Sequence, residues 1–239
     1  MKRINLLSSP RNVSTALMYS FAQRKDTVVV DEPLYAYYLA HTGIVHPGQD
    51  EILASQSQDA QEVIKTMISG KWPKTILFLK NMAHHIIGID EQFLENLINI
   101  IFIRQPKQII ASYAKVREKP TIEDIGTLNQ YRLYQKLKKV GNNPIVLDSA
   151  ELLKAPKVVL KQLCEQIGIP FMDTMLQWEA GVREEDGVWA KYWYTNVHKT
   201  TGFQIQKTSS RNLPEDLEPL YEKLRPYYEE MAKYSIKAK

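Results

Sequence analysis

Ser8-Ser9-Pro10-Arg11-Asn12-Val13-Ser14-Thr15 lies between a short apolar run and an amphipathic stretch through Leu17, Met18 and Phe21. A strand, a tight polar turn and a helix start are the parts of an anion site. Backbone N–H groups without helical partners and the positive end of the helix dipole converge there, Ser14 or Thr15 can add a hydroxyl, and Arg11 brings a full positive charge. The plainer use of the same residues is a helix cap at Ser14 and a solvated Arg11, and the turn alone leaves both readings open. Arg104 bears on the choice, because it follows the apolar run 99–103 and is itself followed, eight residues on, by Ser112. An Arg at a strand end and a Ser two turns into the next helix can reach one phosphate from two sides; their plainer uses are a strand-end ion pair and a small packing residue. Glu32 follows another apolar run and precedes Pro33, a bend that leaves its carboxylate at the same sheet edge, and Lys80 ends a third run there. Asp31 is the nearest rival of Glu32. His84 and His85 are adjacent and so do not point the same way as a metal pair would, and no second cysteine accompanies Cys164, so no metal site is expected.

The turn lacks the glycines and the Lys-Ser/Thr pair of G-x-x-x-x-G-K-[ST], which disfavours a kinase or ATPase. Val28-Val29-Val30-Asp31-Glu32 imitates the apolar strand and acidic pair that hold Mg²⁺ in such enzymes, but without the first motif it is weak.

The elements that must position these residues show as short apolar runs alternating with longer helical patterns, the signature of strand and crossover-helix units in a largely parallel α/β sheet. Strands are predicted over 4–7, 27–31, 75–79, 99–103 and 144–147, and helices over 14–24, 33–41, 50–69, 90–97, 106–117, 122–139, 149–168 and 215–233. With no repeat, low-complexity tract or Gly/Ser linker, residues 1–239 read as a single domain. The irregular stretch 173–211 joins an acidic turn, an aromatic cluster (Trp189, Tyr192, Trp193, Tyr194) and a polar run, which makes it a functional-loop candidate. The aromatic cluster could line an acceptor pocket or stack on a base, although packing is the commoner use.

Composition bounds the rest. At 44% hydrophobic and 24% charged residues the chain is neither collagenous, mucin-like nor broadly disordered. Lys plus Arg (31) against Asp plus Glu (27) is too small a surplus to demand a nucleic acid or a membrane as partner, though it tolerates an anionic ligand. The lone cysteine suggests a reducing compartment, the first apolar run is too short for a signal peptide, and no stretch reaches the about 18–20 apolar residues of a membrane span. A cytoplasmic location without a membrane span is the expectation.

Pro10-Arg11-Asn12-Val13-Ser14-Thr15 resembles the donor loop of the sulfotransferase superfamily, Pro-Lys/Arg-x-Gly-Thr/Ser-Thr, with Val13 at the glycine place. Phe102-Ile103-Arg104-Gln105-Pro106 with Ser112 is similar to that superfamily's second motif, and the strand, turn and helix ending in Ile167-Gly168-Ile169-Pro170 resemble its scaffold, so the likeness covers roughly residues 1–170. The resemblance implies a three-layer α/β sandwich around a mainly parallel five-stranded sheet with P-loop-like nucleotide-binding topology. It implies 3′-phosphoadenylyl sulfate as donor, adenosine 3′,5′-bisphosphate as product, no metal, and a small-molecule or carbohydrate hydroxyl as acceptor.

In that scheme Arg11, Asn12, Val13, Ser14 and Thr15 hold the 5′-phosphosulfate, and Arg104 and Ser112 hold the 3′-phosphate. Glu32 is the base, as in the carbohydrate enzymes, with His84 or His85 as alternatives. Lys80 and Arg11 steady the transferring charge. Lys199 and Gly202 occupy the region where the family covers the 3′-phosphate. A β-branched Val13 restricts a turn whose backbone must approach the ligand, so a shifted or altered donor is expected from that position. The alternatives are a phosphoryl-transfer or nucleotide-hydrolysing enzyme on the same scaffold, and a nucleotide-binding protein without transfer activity.

Overall fold

The structure, a computed structural model, describes residues 1–114, 120–204 and 213–239. Runs that are apolar at every position, rather than every second one, suit strands buried on both faces. Here β1 (Lys2–Ser8), β2 (Thr27–Asp31), β3 (Ile76–Met82), β4 (Ile98–Ile103) and β5 (Ile145–Asp148) form one sheet, parallel at every pairing, in the order β2-β3-β1-β4-β5. The period of two splits their side chains between two cores: Ile4, Leu6, Phe78, Phe102 and Leu147 face one, Leu7, Leu79, Ile101, Ile103 and Val146 the other.

The helices, in chain order, are α1 (Ser14–Ala22), α2 (Tyr35–Thr42), α3 (Gln49–Ser55), α4 (Ala60–Val63), α5 (Pro106–Tyr113), α6 (Ile122–Ile125), α7 (Thr127–Lys139), α8 (Ser149–Lys154), α9 (Pro156–Ile167), α10 (Ala190–Trp193) and α11 (Glu218–Ala232). Leu17, Met18 and Phe21 of α1 and Leu160 and Leu163 of α9 cover the first face of the sheet, and Leu133, Tyr134 and Leu137 of α7 cover the second. The result is a three-layer α/β domain. Because α1, which follows β1, and α7, in the connection from β4 to β5, cover opposite faces, a crevice opens between the carboxyl ends of these neighbouring strands, where open α/β sheets bind ligands.

Several elements depart from the sequence expectation, each for a local reason. The helix expected over 50–69 breaks at Gln56, which is extended, and restarts at Asp59, whose side chain caps Gln61 and Glu62 before α4 runs into a π turn at Ile64–Ile68. Gly126, at φ 76°, separates α6 from α7 within 122–139, and Ala155, held out of the helical region by Pro156, separates α8 from α9 within 149–168. The segment 90–97 forms a 3-10 turn, Glu91–Asn96. Residues 115–117 of the helix expected over 106–117, and 205–211 of the loop expected over 173–211, lie outside the described residues. The third strand runs past Leu79 to Met82, with Lys80 and Asn81 opposite Leu6 and Leu7 of β1. Lys80 is therefore inside a strand rather than at its end. Among the described residues, no helix is long and apolar enough to cross a membrane.

Candidate functional site

The turn after β1 is pinned from both sides. Asn12 donates to the Phe102 carbonyl at the end of β4 (2.8 Å) and accepts from the Val13 N–H (3.0 Å). Arg104 Nη1 donates to the Arg11 carbonyl. Arg11 takes the positive φ of the turn, 55°, whereas Val13 sits at φ −82° with its side chain packed on the first core. The strain expected at Val13 is absent, since its backbone needs no glycine-like conformation and its branched side chain points to the interior. No side-chain hydrogen bond caps α1, and the residues of its first turn, Ser14, Thr15 and Ala16, line the crevice.

Arg104 leaves β4 as the chain turns into α5, which Gln105 caps and Pro106 opens. Its Nε reaches Gln108 Oε1 (3.1 Å), and Arg11 Nε donates to Ser112 Oγ (3.1 Å), so Arg11, Arg104 and Ser112 form one cluster. Burial holds the Arg104 guanidinium below its ordinary pKa, the neighbouring Arg11 charge adds to this, and Asp148 acts the other way. Two like charges held together at a helix N-terminus suit an anion bearing more than one negative group.

At the β2 and β3 end, Glu32 has φ 39° and is tied by its own N–H to the Lys80 carbonyl (2.7 Å), while its carbonyl accepts from Tyr35 N–H and Gln56 Nε2. The residue is 5% exposed and its side chain meets Lys80 Nζ through Oε1 (2.5 Å). Lys80 is fully buried and also donates to Asp31 Oδ1 (2.8 Å) and Tyr194 Oη (2.7 Å); Tyr194 in turn donates to Asp31 Oδ2 (2.7 Å) and accepts from Trp189 Nε1 (3.2 Å). Burial raises the Glu32 pKa, Lys80 draws it back and Asp31 pushes it up again, leaving it above the ordinary glutamate value. Burial works against the Lys80 charge, but Asp31 and Glu32 outweigh it and push the ammonium up to about 12. Burial holds both His84 and His85 neutral, well below the ordinary imidazole value.

One cavity of about 1000 Å³ runs along the strand ends, lined by Arg11, Ser14, Thr15, Arg104 and Ser112 at the β1 and β4 end and by Glu32, His84 and His85 at the β2 and β3 end. Asn12, Val13 and Gly202 also line it; Asp31 and Lys80 do not, both lying beneath Glu32. Both Asp31 oxygens are engaged by Lys80 and Tyr194, whereas Lys80 holds Glu32 through Oε1 and His85 Nδ1 stands 3.9 Å from Oε2. Lys199 is exposed and lines a separate depression with Arg183 and His198, so the structure does not bring it to the cavity that Gly202 lines. Gly202 bridges Gln177, where a Cβ would come within 2.9 Å of the Leu176 carbonyl oxygen. Tyr194 entered the sequence reading only as one aromatic among four. Its lysine partner is 114 residues away, so no local pattern marks the contact.

An all-parallel sheet with an uncapped helix start and paired arginines at its carboxyl edge makes this an α/β domain whose edge suits an anion. The family follows from comparison. The family described as a sulfotransferase domain matches residues 1–235, and the chain belongs to it. It is 39% identical over 226 residues to the branched-chain-amino-acid aminotransferase-like protein 1 of Arabidopsis thaliana, covering 94% of this chain and 40% of that protein. The corresponding protein 2 is 37% identical over 229 residues, with 95% and 41% covered. The chain thus spans about two fifths of the length of these curated relatives.

Solved structures with the same fold include the sulfotransferase domain from the Synechococcus PCC 7002 olefin synthase, with a TM-score of 0.62 at 18% identity, covering 99% of this chain and 96% of that one. The sulfotransferase domain from the curacin biosynthetic pathway has a TM-score of 0.57 at 18% identity, with 98% of each chain covered. The domain is accordingly of sulfotransferase type, in family and in fold.

Proposed function

We propose that this chain transfers a sulfuryl group from 3′-phosphoadenylyl sulfate to the hydroxyl of a small molecule or carbohydrate, in the cytoplasm and without a metal. The observation that carries the proposal is the meeting, in one cavity, of the Arg11, Arg104 and Ser112 cluster with the buried carboxylate of Glu32. The donor supplies the sulfuryl group and, in adenosine 3′,5′-bisphosphate, the leaving group. The open N-terminus of α1 with Ser14 and Thr15 receives the 5′-phosphosulfate. Arg104 and Ser112 take the 3′-phosphate, and Arg11, hydrogen-bonded to Ser112, spans the two and steadies the charge on the transferring group. Glu32 accepts the acceptor's hydroxyl proton on Oε2 while Lys80 holds Oε1, so Lys80 acts through the base rather than on the sulfuryl oxygens.

Calorimetric titration tests the donor assignment. Arg104→Ala weakens adenosine 3′,5′-bisphosphate binding by about 10- to 100-fold, the worth of a charge-assisted hydrogen bond, and adenosine 5′-monophosphate binding only slightly. Equal losses for both nucleotides would sink it. Glu32→Gln leaves bisphosphate binding intact and lowers turnover by about 10²- to 10⁴-fold, the usual contribution of a positioned base.

A further inference from the structure

We propose that Lys107 is a third cation for the donor's phosphates and that Glu218 competes with them for it, so that donor binding exchanges one anion for another at the same ammonium. The proposal rests on the donor reading above and adds to it a residue and a competitor. On α5 the residues that line the cavity follow the helical period: Lys107 and Gln108, then Ala111 and Ser112 one turn on. Lys107 therefore belongs to the same face of the helix as Ser112.

The charge around it is one-sided. Arg11, Arg104 and Lys107 all line the β1 and β4 end, whereas the one carboxylate among the described lining residues, Glu32, stands at the opposite end. Three like charges at one end of a cavity repel unless an anion answers them. For Lys107 that anion comes from a neighbouring element: Glu218, the first residue of α11, accepts from Nζ at 3.1 Å through Oε1. The ring of Tyr221, one turn along α11, lies 5.4 Å from the same Nζ.

This pair is suited to exchange. The Lys107 and Glu218 side chains are 34% and 38% exposed, and an ion pair so open to water contributes little, because it is screened and ties down two long side chains. A phosphate group carries more charge than a carboxylate and is drawn to the same end by Arg11 and Arg104, so it outcompetes Glu218 for the ammonium. The flexible four-carbon stem lets Nζ change partner without moving the helix. The seat of α11 does not depend on Glu218 either, since Leu224, and Leu217 just before the helix, are buried in one cluster with Ile109 and Ile110 of α5.

The test is a double-mutant cycle read by calorimetric titration with adenosine 3′,5′-bisphosphate at one ionic strength. Lys107→Met weakens binding by about 5- to 20-fold, and Lys107→Arg recovers most of the loss. Glu218→Gln tightens binding by about 2- to 5-fold, the worth of an exposed pair that no longer has to be broken. It does so only while Lys107 is present, so the double variant binds as Lys107→Met does. Glu222→Gln, the same loss of charge one turn further along α11, where Glu222 pairs with Arg225 instead, leaves the affinity unchanged. A pair that only braces α11 would give no tightening. Unaltered affinity in Lys107→Met, no tightening in Glu218→Gln, or equal tightening in the double variant overturns the proposal. If the bisphosphate does not bind wild-type protein, the donor reading falls, and the same variants titrated with inorganic pyrophosphate judge the exchange by itself: the same pattern upholds it and indifference overturns it.

Discussion

Among the described residues, Arg11 and Glu32 alone combine a positive φ with a side chain, at 55° and 39°, and both line the cavity. Such conformations cost an L-residue about 1–2 kcal/mol and persist where surrounding contacts over-determine them, which is why they concentrate at functional sites. At Arg11 the contact is Arg104 Nη1 on its carbonyl; at Glu32 it is the bond to the Lys80 carbonyl. Replacing Arg11 by Gly or Ala removes the same charge, but only Gly relieves the backbone, so Arg11→Gly is expected to be about 1 kcal/mol more stable than Arg11→Ala in denaturant melts while both lose bisphosphate affinity. The proposed base makes a pH prediction. Lys80 and Tyr194 draw the Glu32 pKa down against burial and Asp31, so removing either raises it further. The acid limb of kcat/KM should therefore move to higher pH in Tyr194→Phe and further in Lys80→Met, which also loses about 3–5 kcal/mol by leaving the buried Asp31 without its cation. An acid limb that stays put in both variants would remove Lys80 and Tyr194 from the base's control.

The turn after β1 keeps its shape because neighbouring elements hold it, and one of them is the α6–α7 junction. Gly126 has φ 76°, and a Cβ there would stand 3.2 Å from Pro10 Cδ and 3.5 Å from Ser9. Gly126→Ala is expected to cost about 1–2 kcal/mol and to displace the turn. Gly141 has a similar φ of 79° but open space around it, so Gly141→Ala carries the backbone penalty without the collision. If the turn depends on this junction, bisphosphate binding weakens in Gly126→Ala and not in Gly141→Ala; equal behaviour would show that the turn is indifferent to it. The same residues explain what was readable in the sequence. The strands were, because runs such as Ile100-Ile101-Phe102-Ile103 are apolar on both faces, and the Arg104 and Ser112 spacing was, because it lies within one strand-turn-helix unit. The breaks at Gly126 and Pro156 fell inside apolar periods that continue on both sides, which masked them. The depth of Lys80 was hidden because a lysine signals a strand's end unless acidic partners from other elements bury it, here Asp31 and Glu32 at 2.8 and 2.5 Å. The Tyr194 contact and the stacking of His85 on Tyr35 and Tyr38 are long-range packing, which no local pattern encodes.

Across the whole molecule, 31 basic and 27 acidic residues leave a net charge of +4, which conceals how the charges are arranged along the sheet edge. Lys80 is consumed by Asp31 and Glu32 beneath the proposed acceptor end, so among the described residues the cations that line the cavity, Arg11, Arg104 and Lys107, belong to the proposed donor end. Lys107 is also paired with Glu218 of α11 (3.1 Å). A ligand held there by the native state alone stabilises the entire domain. At about 100 times its dissociation constant, adenosine 3′,5′-bisphosphate should add about 2.7 kcal/mol, which for a chain of this size raises Tm by roughly 5–11 °C. If guanidinium groups rather than Mg²⁺ answer the phosphate charge, as proposed, EDTA should leave that shift unchanged, and ATP with Mg²⁺ should give a smaller one. Thermal melts with each ligand, with and without EDTA, decide the matter: a shift that needs Mg²⁺ and is larger with ATP would assign the cavity to phosphoryl transfer instead.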